Sequence, residues 1–249
     1  MYTGIYKIAD HIFEVHSLFA DIHLLCEAYA VEEQPTFCIT VTPENLTAER
    51  AVWESEVEKG HIPAGNVTDS FLETVFVHQT LADMLVKDGY LLFHGSAIAV
   101  DGEAYLFTAP SGTGKSTHTR LWREHFGDRA IMVNDDKPIL KITENGTTVY
   151  GTPWNGKHRL SRNIAVPLKA LIQLERAEEN HIEPIDKKTA YPILFRQAHR
   201  PADPVGMVAV MKMLDQLSEH TALYRLGCNM QPEAAIVAYE GMNGRGATA

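Results

Sequence analysis

The sequence predicts an α/β (α+β) chain built around a mixed, largely antiparallel sheet, and three observations carry that expectation. A glycine-rich stretch, Ala109 to Thr117, lies between a strand pattern and a helix pattern. Two hairpin signals, Asp101-Gly102 and Glu144-Asn145-Gly146, stand on either side of it. Strands also fail to alternate with helices in the way that the right-handed crossovers of a doubly wound sheet demand.

Taken in order, Ile5 to Ile8 and Phe37 to Val41 read as short strands, and the apolar segment Ser17 to Ala30 as helix or strand. Thr47 to Gly65 is acidic and reads as irregular. Thr68-Asp69-Ser70 is an acceptor-rich start for a helix carrying Phe71, Leu72, Val75, Phe76, Leu81, Met84 and Leu85, which ends near Gly89. Leu91 to Val100 and Glu103 to Thr108 form a hairpin, Lys115 to Phe126 a helix and Ala130 to Val133 a strand. Pro138 to Ile142 and Thr147 to Tyr150 form a second hairpin. Leu168 to Leu174 and Ala222 to Leu226 read as strands; Ala190 to Gln197, Val205 to Leu217 and Glu233 to Glu240 read as helices. The stripe Met207, Val210, Met211 and Leu214 is expected to fill core, and 241–249 to be a frayed tail.

With 249 residues the chain is long enough for a core that needs no staples. No apolar run nears the roughly 18 to 20 residues of a membrane span, and Met1-Tyr2-Thr3-Gly4 lacks a signal-peptide pattern, so the expected location is the cytoplasm. A net charge of −10 argues against nucleic acid and anionic membrane as partners, so any anionic ligand must be held locally. Cys26, Cys38 and Cys228 contain no CxxC pair, which speaks against a zinc site or disulfides and for buried free thiols. One soft boundary is expected, with 1–67 an N-terminal α/β segment packed on a larger domain, 68–249.

Ala109-Pro110-Ser111-Gly112-Thr113-Gly114-Lys115-Ser116-Thr117 fits the Walker A pattern except that Ala109 replaces its first glycine. Gly112 and Gly114 allow backbone N–H groups to turn onto phosphate oxygens. Lys115 brings a charge to the β- and γ-phosphates, Ser116 a hydroxyl to Mg²⁺, and the helix N-terminus its dipole. Asn134-Asp135-Asp136 follows a short apolar strand, where two acids suit two tasks, one holding Mg²⁺ and the other accepting a proton. His94 is read as lying inside the first hairpin strand, across from the strand that feeds the loop. The other histidines, His118 included, show no ligand spacing and read as surface or packing residues.

The order His94-Gly95, hairpin, Ser111-Gly112-Thr113-Gly114-Lys115-Ser116, Asp135-Asp136 resembles the catalytic core of HPr kinase/phosphorylase and related small kinases of the phosphoenolpyruvate carboxykinase-like superfamily, over roughly Leu91 to Leu174. The resemblance implies a phosphoenolpyruvate carboxykinase/HPr kinase C-terminal-like fold, with 68–249 as a P-loop kinase-like catalytic domain. It also implies transfer of the γ-phosphoryl group of ATP, with Mg²⁺ or Mn²⁺, to a serine hydroxyl. Asp135 and Asp136 then share the base and metal roles, in an order left open. His94 lies near the reacting phosphate, and Lys115, Ser116 and the loop through Thr117 hold phosphate and metal.

Gly151-Thr152-Pro153-Trp154-Asn155-Gly156-Lys157-His158-Arg159 departs from HPr kinases and resembles a GTPW-type motif of small carboxykinase-like kinases, some of which accompany peptide-modification systems. Trp154 either stacks on a base or substrate or plugs the core, and Lys157 and Arg159 either meet phosphate or carboxylate or are solvated. His199-Arg200 reads as structural. The leading expectation is a kinase acting on a hydroxyl of a peptide, small protein or free amino acid; by analogy it is a homo-oligomer. Two alternatives stay open, carboxykinase-type activity and a nucleotide-gated binding module without chemistry.

Overall fold

The structure is a computed structural model that describes residues 1–244; the part of the expected tail beyond residue 244 lies outside the described residues. The chain divides into two compact units, Met1–Met84 and Leu85–Ala249.

In the first unit, β1 (Tyr2–Ile8) and β2 (His11–Ser17) form an antiparallel hairpin, and after α1 (Asp21–Leu25) the strand β3 (Phe37–Thr40) returns parallel to β2. The hairpin turn is Ala9-Asp10, both with positive φ (49° and 66°), the backbone that a two-residue connection requires. Phe13, Val15 and Ile39 point to the buried face, and Phe13 stacks on its neighbour Phe37 at 5.4 Å between ring centroids. Of Thr47 to Gly65, expected to be irregular, the part through Glu58 is instead helical, in α2 (Pro43–Glu58), and 59–65 is irregular as expected. Thr42 caps α2 in a reciprocal box, with Asn45 N–H donating to Thr42 Oγ1 at 3.3 Å and Thr42 N–H to Asn45 Oδ1 at 2.9 Å, and Pro43 occupies the first turn. α3 (Asp69–Val86) follows as expected, and Glu73 accepts N–H bonds from Leu18 and Phe19.

The second unit holds a nine-stranded mixed sheet. The strand expected over Leu91 to Val100 is broken into β4 (Tyr90–Leu92) and β5 (Ser96–Val100), because the backbone turns at His94-Gly95. β6 (Glu103–Thr108) pairs with β5, and α4 (Lys115–Phe126) follows the glycine-rich loop. Next come β7 (Ala130–Asn134), the hairpin β8 (Ile139–Thr143) and β9 (Gly146–Tyr150), and β10 (Ala165–Arg176). The chain then runs through β11 (His181–Pro184), α5 (Lys187–Gln197), α6 (Pro204–His220), β12 (Ala222–Cys228) and α7 (Glu233–Met242), so helix continues past the expected start of the tail.

The order is β4-β8-β9-β10-β6-β5-β7, with β12 also on β10 and β11 on β12. β6 and β12 run parallel to β10; most other pairs are antiparallel. Side chains alternate between two cores, as strand geometry requires. Ala97, Ala99, Ala104 and Leu106 face the core that takes in α5 and α6, while Ile98, Val100, Tyr105 and Phe107 face the one that takes in α4 and α7.

On α6 the core stripe is Val210, Met213, Leu214 and Leu217, so Val210 and Leu214 lie inside as expected; Met207 is half-buried and Met211, expected inside, is exposed at the margin of the stripe. Cys26 is buried, but Cys228 is only half-buried and Cys38 is exposed, which corrects the expectation of three buried thiols. Among the described residues no helix is long and apolar enough to cross a membrane.

Candidate functional site

The parallel pairing of β6 with β10 and the pairing of β5 with β7 bring the end of β6, the end of β7 and the break between β4 and β5 to one edge of the sheet. A cleft of about 540 Å³ opens there, lined by His94, Ser111, Gly112, Gly114, Lys115, Ser116, Thr117, Asp135, Asp136, Gly156, Lys157 and His158. Thr113, Trp154 and Arg159, which the sequence also singled out, do not line it; Trp154 is half-buried and Arg159 exposed.

The loop takes its shape from Gly112 and Gly114, whose φ values of +78° and +127° lie in the region that side chains rarely adopt. A Cβ at either position would meet nothing within 4 Å, so backbone conformation and not space requires glycine there. Ala109 is fully buried among the residues that pack under α4, which explains how a methyl group stands in place of the usual glycine. No side chain caps α4, so its first-turn N–H groups remain suited to an anion. Lys115 is buried, and its ammonium donates to Ala109 O at 3.0 Å. Burial lowers its pKa against the pull of Asp136.

Two residues at this site, Arg176 on the loop and Ser96 on the acid pair, escaped the sequence reading. Arg176, the last residue of β10, donates to Gly112 O at 2.7 Å and to Thr113 O at 3.4 Å. Because β10 runs parallel to β6 with Gln173 beside Thr108, its C-terminal end reaches the loop; that register is a property of the sheet and not of local sequence. Ser96 donates to Asp135 Oδ1 at 2.8 Å and lies 3.1 Å from Thr119 Oγ1.

The acid pair is set by Asn134, which is fully buried. Its Oδ1 accepts from the N–H groups of Asp136 (2.8 Å) and Lys137 (2.7 Å), and its Nδ2 donates to Thr152 O (3.0 Å) and Trp154 O (3.4 Å). This Asx turn bends the chain so that both carboxylates reach the cleft although they are sequence neighbours. Asp135 is 5% exposed; burial pushes its pKa up, against the hydroxyls of Ser96 and Ser116. Asp136 lies 3.3 Å from His94 Nε2. Burial would raise the Asp136 pKa, but the His94 hydrogen bond and the charge of Lys137 together outweigh it and leave it below the ordinary value. Burial lowers the pKa of His94, against that same hydrogen bond, and Lys137 and Lys115 add to the lowering.

His94 therefore sits in the break between strands and not within a strand. Its N–H donates to Gln197 O at 2.8 Å, and Gly95 N–H to Asp136 O at 3.0 Å. A Cβ on Gly95 would fall 2.8 Å from Leu106 Cδ1 and 2.9 Å from Phe107 O, so the break has room for glycine alone. Of the remaining histidines, His118 is packing as expected: Trp122 Nε1 donates to its Nε2 at 3.0 Å, beneath Phe107. Arg200 caps the end of α5 by donating to Phe195 O and Arg196 O.

Among curated proteins no relative matches the sequence. Among solved structures, the HPr(Ser) kinase/phosphatase from Coxiella burnetii is similar over 62% of this chain and 95% of its own, at 14% identity and a TM-score of 0.33, too slight a likeness to align the two sites. The profile of one family, described as SynChlorMet cassette protein ScmC, matches residues 66–231, which include β4 to β12 and every residue lining the cleft. The chain belongs to that family.

Proposed function

We propose that the protein is a Mg²⁺-dependent phosphotransferase that moves the γ-phosphoryl group of ATP to a hydroxyl, in first place a serine of a peptide, a small protein or the free amino acid. The observation that carries this reading is the convergence of a glycine-rich loop with its lysine, two carboxylates and a histidine on one cleft. The glycine-rich loop then acts as a phosphate-binding loop, its N–H groups and Lys115 holding the β- and γ-phosphates.

Asp135 and the Ser116 hydroxyl are hard oxygen donors side by side, a set that suits Mg²⁺. Such an ion supplies charge neutralisation on the phosphate oxygens. Asp136, held ionised and hydrogen-bonded to His94, accepts the acceptor's hydroxyl proton as its oxygen bonds to phosphorus and the bond to the β-phosphate oxygen breaks. Lys157 and His158 stand on the open side of the cleft, where acceptor or phosphate arrives. The family's description as a cassette protein makes the products of neighbouring genes the first acceptors to try.

The test incubates the protein with γ-labelled ATP and Mg²⁺ against free serine, serine-bearing peptides and a cell extract, with Lys115→Ala as control. Label on a hydroxyl acceptor, lost in the variant, is the expected result. ATP binding without any transferred label, or carbon dioxide release from oxaloacetate and ATP, would replace this reading with one of the two alternatives.

A further inference from the structure

The first unit brings Cys38 of β3 beside two donors of different chemistry, Glu14 and His16 of β2, from which the sequence keeps it far apart. β2 and β3 are parallel, with Glu14 beside Cys38 and His16 beside Thr40. Since alternate residues of a strand share a face, Glu14, His16 and Cys38 all stand on the face opposite the buried Phe13, Val15 and Ile39. A glutamate oxygen, a histidine nitrogen and the cysteine sulfur there lie within 4.8 Å of one another, and His16 Nε2 is 3.1 Å from Glu14 Oε1. Glu14 and His16 are about one-third exposed, and Cys38 is exposed.

We propose that Glu14, His16 and Cys38 form a site for a zinc ion on this outer face of the sheet. Zn²⁺ accepts thiolate, imidazole and carboxylate together, and its bond lengths in tetrahedral geometry place such donors about 3.4 to 3.6 Å apart. The histidine and glutamate already stand near that spacing, and the exposed Cys38 side chain closes the remainder by rotation. The Thr40 hydroxyl lies 3.6 Å from Cys38 Sγ, where it can donate to a thiolate and orient it. Three protein donors leave the fourth position to water, as in zinc sites that exchange ligands.

Sequence spacing argues against zinc only because zinc patterns are written for cysteine pairs on loops; here the strand register does the assembling. The site shares no residue with the cleft of the second unit and needs no phosphoryl chemistry.

The experiment titrates the reduced full-length protein with Co²⁺ and then Zn²⁺. Expected are a sulfur-to-cobalt charge-transfer band that saturates at one equivalent and its displacement by one equivalent of Zn²⁺. The band should vanish in Cys38→Ser, weaken in His16→Gln and persist in Cys228→Ser and Lys115→Ala. Absence of a thiolate band in the folded wild type, or a band unchanged in both Cys38→Ser and His16→Gln, overturns the proposal. Both substitutions lie outside the core, and circular dichroism verifies that each variant is folded.

Discussion

Replacing Asn134 by alanine removes the group that bends the chain at the acid pair. Two N–H groups lose the Oδ1 acceptor at 2.7 and 2.8 Å, and two carbonyls lose the Nδ2 donor at 3.0 and 3.4 Å. At about 1 kcal/mol net for each bond, and somewhat more for an amide left dry, the second unit should lose roughly 3 to 4 kcal/mol. For a domain of this size that corresponds to a midpoint lower by about 6 to 16 °C. The assay is urea and thermal unfolding followed by tryptophan fluorescence in a Trp53→Phe background, so that Trp122 and Trp154, both in the second unit, report alone. Asn134→Asp separates the two halves of the network, because it keeps the accepted bonds and sets a carboxylate against two carbonyls. It should be no more stable than Asn134→Ala. A loss under about 1 kcal/mol in Asn134→Ala would refute the reasoning, since a buried side chain with these partners cannot be so cheaply removed.

Burial depresses the pKa of His118 from 6.5 to about 3, so its stabilising effect is complete above pH 6.5 and is lost as the pH falls toward 3. Between pH 6.5 and 4.5 the wild type should lose about 2 to 3 kcal/mol more than His118→Gln, a difference measurable by urea unfolding at the two pH values. Gly95→Ala should cost about 1 to 3 kcal/mol, because its Cβ meets Phe107 O, a backbone atom that cannot rotate away; a neutral result in the same melts would contradict the crowding at the strand break. If the cleft binds ATP as proposed, Arg176→Ala should weaken that binding roughly tenfold by calorimetry with little change in stability, since the guanidinium holds the loop carbonyls from an exposed position. Unchanged affinity would mean that the loop keeps its shape without it.

The helix bounds at Lys115 and Phe126, the hairpins around Asp101-Gly102 and Glu144-Asn145-Gly146 and the start of α3 were legible because each has a local cause: a cap, a glycine turn or a 3.6-residue period. Most of the cleft was legible for the same reason, since glycine loop and acid pair are contiguous stretches. β2 was missed because its hairpin turns on Ala9-Asp10, where no glycine or asparagine marks the turn and alanine seldom holds positive φ. α2 was missed although Thr42, Pro43 and Asn45 spell a helix start, because its acidic run hid the signal. Arg176 and Ser96 reach the site through strand register, and the spacing of Glu14, His16 and Cys38 says nothing until β3 is known to run parallel to β2. The break at His94-Gly95 reads as continuous strand until the crowding of Gly95 by Leu106 and Phe107 is seen.

Ala109 is sunk in the core at one end of the glycine-rich loop, α4 begins at the other, and Arg176 pins the crown between them. The conformational freedom that a flexible loop would surrender on meeting a ligand has thus been surrendered at folding. On the proposed function, capture of a phosphate chain would then be governed by encounter and not by rearrangement. For a protein with a net charge of −10 the mean field opposes a polyanion's approach, so raising ionic strength relieves long-range repulsion and quickens arrival while weakening the final grip.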